Sequence, residues 1–255
     1  MPPFIAITMA FVSGCRFSIR SSLKSSLFCL LLGVPVFSFA QSAQKVPDTL
    51  EQRLKACVAC HGAEGKAGSD GFYPRIAGKP AGYLYEQLVN FRDGKRNFPA
   101  MRYMVAHMSD AYLKEIASYF ADQHPPYAAP QSGDISAQLM EQGRQLVLNG
   151  DKERKLPACV ACHGQTMTGQ APFVPGLLGL PRDYLIAQLG AWQTGNRKAH
   201  APDCMQQIAT QLKSQDIAAV SSWLAAQAVP ANGIAPLLKP EDYAQLPLKC
   251  GSVLR

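Results

Sequence analysis

The pentad Cys57-Val58-Ala59-Cys60-His61 recurs as Cys159-Val160-Ala161-Cys162-His163, 102 residues later. Nothing else in the chain limits its fold as strongly. Pro74 returns as Pro175, Tyr83-Leu84-x-x-Gln87-Leu88 as Tyr184-Leu185-x-x-Gln188-Leu189, and Gly94-x-Arg96 as Gly195-x-Arg197, all 101 residues on, while Met101 returns as Met205 after 104. A nearly constant offset in unchanged order means two copies of one unit rather than shared composition. The 255 residues, 47% of them hydrophobic, suffice for two domains of about 100 residues.

Each copy reads as helical. Asp48 is placed to cap a first helix that carries Leu50, Leu54 and Val58 on one face and ends in the cysteine motif. Pro80, at a first-turn position, opens a second helix with Tyr83, Leu84, Gln87, Leu88 and Phe91, and Gly94 closes it. Ser109 caps a third, with Tyr112, Leu113, Ile116, Tyr119 and Phe120 spaced for a buried face. The second copy follows with helices near 134–148, 181–193 and 214–227. No alternating strand pattern stands out, so the fold class is all-α, two small helical bundles in tandem. The Pro-rich stretch after residue 124 has linker chemistry. The expected division is 41–126 for the first domain, 127–134 for the linker, 135–229 for the second domain and 230–255 for a tail outside the repeat.

C-x-x-C-H is the attachment signature of c-type haem. On a helix, residues three apart share a face, so Cys57 with Cys60, and Cys159 with Cys162, can bond the two vinyl groups along one porphyrin edge. His61 and His163 then offer an imidazole nitrogen to the iron. In a chain of this composition one such pentad arises by chance about once in two hundred sequences, so two at matched positions point firmly to two covalently bound haems. A zinc ribbon pairs its C-x-x-C motifs at about 15–20 residues, not a hundred. A thioredoxin-type C-x-x-C expects a βαβ setting that is missing.

The second axial ligand separates a carrier from a catalyst, since an iron held on both faces shuttles electrons and an open one binds substrates. Met101 stands seven residues before Met108 as Met205 stands seven before Leu212, which selects Met101 and Met205 as iron ligands. Met104 and Met108 read as packing around the haem edge, and His107, His124 and His200 as surface or loop imidazoles. The carbonyls of Pro74 and Pro175 can accept the imidazole Nδ1–H and orient the ring; turn prolines are the alternative. Cys204 and Cys250 remain. A disulfide between them would tie the tail beside Met205; a free thiol, or Cys204 itself as a ligand to the second haem, are the rival readings. No convergent acid or base cluster suited to catalysis is visible.

From Arg16 to Ala40 the chain has three cations, an apolar run and the small-x-small site Ser38-Phe39-Ala40, in the order of a secretory signal peptide. Residues 1–14 are apolar where such a peptide should be basic, which suggests a start assigned too far upstream; the box ending at Cys15 has a lipoprotein look but a full signal follows it. The expected address is therefore the periplasm. The formal charge of +7 includes three cations of that segment. The remainder is spread along the chain and would be nearly balanced by four haem propionates, so nucleic acid is not a partner.

Over residues 45–228 the chain resembles the bacterial dihaem cytochrome c4 family, on Tyr73-Pro74-Arg75-Ile76-Ala77-Gly78, Phe91-Arg92-Asp93-Gly94-Lys95-Arg96, the two Tyr-Leu-x-x-Gln-Leu helices and the spacing of Met to the last helix. The resemblance implies class I cytochrome c domains with His/Met ligation. It further implies a soluble or loosely membrane-associated electron carrier, working between redox proteins such as a donor dehydrogenase or quinol-oxidising complex and a terminal oxidase. A thiosulfate dehydrogenase-like enzyme, or the cytochrome subunit of a periplasmic dehydrogenase, is the alternative. Cys204, the tail with Cys250 and the second proline loop, Phe173-Val174-Pro175-Gly176, depart from the pattern.

Overall fold

The computed structural model describes residues 46–253 apart from Ser69 and Ser132; the signal peptide read over 1–40 lies outside the described residues. The chain builds two hydrophobic clusters, one from each copy of the repeat. In the first, α1 (Leu50–Arg53) and α2 (Lys55–His61) are separated at Leu54, whose side chain is 1% exposed. The cap is Thr49 rather than Asp48. Its hydroxyl accepts the Gln52 N–H at 3.4 Å, and the Asp48 carboxylate turns to Arg53 at 3.3 Å, because the helix begins one residue later than the pattern suggested.

Pro80 precedes α3 (Ala81–Arg92) as its cap, in extended conformation, and is not inside the first turn. Gly94 follows the helix with φ +75°, the left-handed geometry that a glycine adopts without strain. α4 (Pro99–Val105) starts on its proline. α5 (Asp110–Ala121) is capped by Ser109, which accepts the Tyr112 N–H at 3.3 Å. Leu54, Leu84, Leu113, Ile116 and Phe120 from these helices make the first core.

The second copy repeats the plan with α6 (Ala137–Asn149), α7 (Val160–His163), α8 (Arg182–Gln193), α9 (Cys204–Ala209) and α10 (Ser214–Ala225). Its core holds Val147, Leu156, Leu185, Val220 and Leu224. α6 and α10 cross so closely that a Cβ on Gly143 would lie 2.2 Å from the Ala219 carbonyl oxygen, so only glycine allows this approach. The helices α4 and α9, which carry the candidate methionines, were not foreseen, because six or seven residues are too few to display a period. For the same reason a small antiparallel pair, β1 (Gly169–Gln170) with β2 (Val174–Pro175), appears where no strand was expected.

The linker is tied down on both sides. Arg75 donates to the carbonyls of Pro125 at 2.6 Å and Pro126 at 3.1 Å and stacks 3.8 Å over the Tyr127 ring, while the Gln131 N–H reaches the Ala225 carbonyl at 2.8 Å. The tail runs along the second copy. Ala171 exchanges backbone hydrogen bonds with Pro236 and Leu238, a 3₁₀ turn spans Pro240–Gln245, and Cys250 is disulfide-bonded to Cys204.

Equivalent loops meet where the copies touch. Asn97 N–H donates to the Asn196 carbonyl and Lys198 N–H to the Lys95 carbonyl, both at 2.7 Å, with Arg96 and Arg197 paired antiparallel between them. This is a local two-fold arrangement of repeated sequence. The Glu86 carboxylate and the His200 Nε2 meet at 2.7 Å across the same boundary, so His200 is a packed loop residue and not a surface one. Among the described residues no helix is long and apolar enough to cross a membrane.

Candidate functional site

The last turn of α2 presents Cys57 and Cys60 and ends on His61, and Gly62 turns the chain away at φ +75°. A Cβ there would meet the Ala67 carbonyl oxygen at 2.6 Å, so the histidine motif needs glycine after it. The second copy does the same with Cys159, Cys162 and His163 at α7 and Gly164 at φ +82°. Each imidazole then meets a carbonyl from the proline loop: His61 Nδ1 lies 2.9 Å from Pro74 O and His163 Nδ1 2.8 Å from Pro175 O. A carbonyl only accepts, so Nδ1 carries the proton and Nε2 keeps its lone pair for a metal.

Burial holds both imidazoles below the ordinary histidine range. For His61 the Pro74 bond opposes the fall and the Arg96 charge adds to it; for His163 the Pro175 bond opposes and the Lys79 charge adds. Both rings are thus neutral, the state a metal ligand requires. Burial also raises the thiols of Cys57 and Cys162 and pushes Cys159 up to about 12. Such surroundings favour neutral sulfur, as in a thioether, over the thiolate that zinc needs. None of these four cysteines is in a disulfide.

The four cysteines, the two histidines and the two prolines line one cavity of about 1170 Å³, together with Met101 and Met205. That exceeds the roughly 300–1,000 Å³ of an ordinary small-molecule site, as a space shared by two large cofactors should. Met101 sits on α4 and Met205 on α9, both partly buried. Met104 and Met108 pack against the first core and line the same cavity as Met101, and His107 and His124 are exposed. Cys204 reaches the cavity wall, but its sulfur is bonded to Cys250, so it has no thiolate to give an iron.

Four buried cations test the fit of haem. Arg75, Lys79, Arg96 and Arg197 are each no more than 9% exposed and all line the cavity, yet none forms an ion pair among the described residues. Arg75 donates only to carbonyls and Lys79 only to Gly176 O at 2.8 Å. Arg96 and Arg197 donate to Gln87, Gln188, Tyr83 and Tyr184. Burying four uncompensated charges is costly. Two haems bring four propionate carboxylates, which match that number. The sequence held part of this signal: Tyr-Leu-x-x-Gln-Leu and Gly-x-Arg recur because they form the arginine network. Lys79 had no such signal, since Leu180 stands at its repeat position.

Two family models match the chain, cytochrome C oxidase, cbb3-type, subunit III over residues 48–120 and cytochrome c over residues 140–228. The chain is 37% identical over 173 residues to a thiosulfate dehydrogenase electron acceptor of Thiomonas intermedia, covering 68% of this chain and 78% of that one. It is 34% identical over 202 residues to a cytochrome c4 of Pseudomonas aeruginosa, covering 78% and 96%. Among solved structures, thiosulfate dehydrogenase (TsdBA) from Marichromatium purpuratum matches with a TM-score of 0.61 and 32% identity. That match takes in 68% of this chain but only 36% of the other, so the chain spans about a third of that protein.

Proposed function

The chain belongs to the dihaem cytochrome c4 family, with two cytochrome c domains that each bind one haem c covalently, and from that premise we propose that it is a periplasmic electron carrier. In this reading it takes electrons from a dehydrogenase, with a thiosulfate dehydrogenase as the donor class, and passes them toward a terminal oxidase. The haems supply one-electron ferric–ferrous chemistry. The protein's part is to hold them. Cys57 and Cys60, and Cys159 and Cys162, would carry the thioethers; His61 and His163, steadied by Pro74 and Pro175, would take one face of each iron; Met101 and Met205 would take the other. Residues 41–126 and 135–229 would be the two domains, joined through 127–134.

The observation that carries the carrier reading is the matched set in each copy: a neutral, carbonyl-oriented histidine and a partly buried methionine on the wall of one cavity. An iron filled on both faces exchanges electrons but does not bind substrate. The thiosulfate donor is supported by the similarity to an electron acceptor of that enzyme.

Mixing the oxidised holoprotein with thiosulfate, with and without a purified thiosulfate dehydrogenase, tests both parts. Rapid haem reduction only when the dehydrogenase is present is the expected result. Thiosulfate oxidation by this chain alone with an artificial acceptor would overturn the carrier reading; no reduction in either mixture would overturn the donor. Reoxidation by oxidase-containing membranes checks the onward direction.

A further inference from the structure

Lys79 is a lysine of the first copy whose ammonium is spent on the second. It stands in the loop just ahead of α3, held by the Gly78 N–H bond to the Phe120 carbonyl at 2.9 Å and by fully buried Ala77. Its side chain is almost entirely enclosed, and Nζ donates to Gly176 O of the second copy at 2.8 Å, 97 residues away in sequence. Gly176 directly follows Pro175, whose carbonyl accepts the His163 Nδ1–H. The cation therefore lies one peptide beyond the group that orients the second histidine.

The arrangement is one-sided. Gly78-Lys79-Pro80 corresponds to Gly179-Leu180-Pro181, and Gly176 corresponds to Arg75. Leucine at 180 has no donor to return to the first copy. In an otherwise duplicated structure this is a place where the two histidine surroundings are made different.

We propose that Lys79 is a tuning residue lent by one domain to the other: its buried ammonium on the Gly176 carbonyl raises the reduction potential of the second haem and favours electron flow from the first domain to the second. A nearby cation favours the ferrous state, which carries one positive charge less than the ferric. The same positive charge acts through space on the neighbouring Pro175 carbonyl, weakens its pull on the Nδ1 proton and so makes His163 a poorer donor to iron. Both effects act in the same direction. The transfer concerned is one electron from the first haem to the second, oxidising one and reducing the other, with no proton or further reactant. Burial pulls the lysine pKa down to about 7, so an anion close by is needed to keep it fully charged, which is the part propionates would play. The inference does not depend on which protein donates the electrons.

The test uses the full dihaem protein in Lys79→Met, Lys79→Gln and Lys79→Arg variants. The two midpoint potentials are read by spectroelectrochemical titration, with each haem assigned to its domain by nuclear magnetic resonance. In the Met and Gln variants the potential of the second haem should fall while the first stays unchanged. The first-to-second equilibrium constant would drop about tenfold, or about 59 mV for a one-electron couple, and the Arg variant should stay within about twofold of the parent. No fall, an equal fall at both haems, or an Arg variant as low as the Met variant would overturn the proposal. Should the Met variant fail to load haem, the Gln and Arg pair decides between charge and mere filling of space.

Discussion

Arg96 and Arg197 lie antiparallel across the boundary between the two copies, and each guanidinium donates to both Gln87 and Gln188, at 2.7–3.0 Å. Two like charges are thus buried side by side. Such a pair is tolerable only with anions at hand, so it belongs to the haem-loaded state. Arg197→Gln should cost the holoprotein about 2 kcal/mol, the value of a lost charged hydrogen bond to a buried group. Thermal unfolding of the loaded protein measures it, and an unchanged midpoint would show that no carboxylate relies on Arg197.

The Cys204–Cys250 bond closes a loop with a separation of 46 residues, for which chain entropy gives roughly 4 kcal/mol. Gly251 is pressed against the carbonyls of Ala201 and His200 and its N–H bonds to Pro202 O at 3.0 Å, so the tail is docked as well as tethered. Cys250→Ser should lower the unfolding midpoint and open the segment after residue 230 to protease. Resistance equal to the parent would show that docking alone holds the tail.

Met205 shares α9 with Cys204 and sits on the cavity wall. If it is the second iron's ligand, Met205→Ala should remove about half of the Met–iron charge-transfer absorption of the oxidised protein and let carbon monoxide bind one reduced haem of the two. A full-strength band would assign the ligand elsewhere.

Asp216 is buried at the start of α10. Burial disfavours its charge, but Arg154 at 2.7 Å, the Lys213 N–H at 2.9 Å and Gln142 at 2.8 Å outweigh that and hold the carboxyl below its ordinary range. A depressed folded value means that the contribution is complete above the unfolded pKa of about 3.9 and is lost as pH falls through the folded value. Asp216→Asn should therefore cost about 2 kcal/mol at pH 7 and progressively less in acid below about pH 4. Urea unfolding of parent and variant at both ends of that range gives the comparison; a gap that widens in acid would contradict it.

Much of the molecule was legible from spacing alone. The two pentads and their prolines recur at nearly the same offset, and a duplicated interval survives in sequence whatever the chain does between its points. Ser109 as a cap and the buried face of α5 were readable for a related reason, since capping and helical periodicity act over a few residues; in α3 only Leu84 and Phe91 of the patterned residues are buried, and Glu86, Val89 and Asn90 are buried beside them. The cap at Thr49, the short helices α4 and α9 and the two-residue strands were not, because each depends on a shift or a length too small to leave a pattern.

By itself, then, the sequence determined that two haems are attached, because thioether attachment is local and needs only two cysteines three residues apart on a helix. The tertiary structure alone decided that both motifs open into one cavity, that four cations are buried there with no ion pair among the described residues, and that Lys79 donates to a carbonyl of the opposite copy. Those facts depend on residues about a hundred positions apart meeting in space, and only the packing of one copy against the other brings them together.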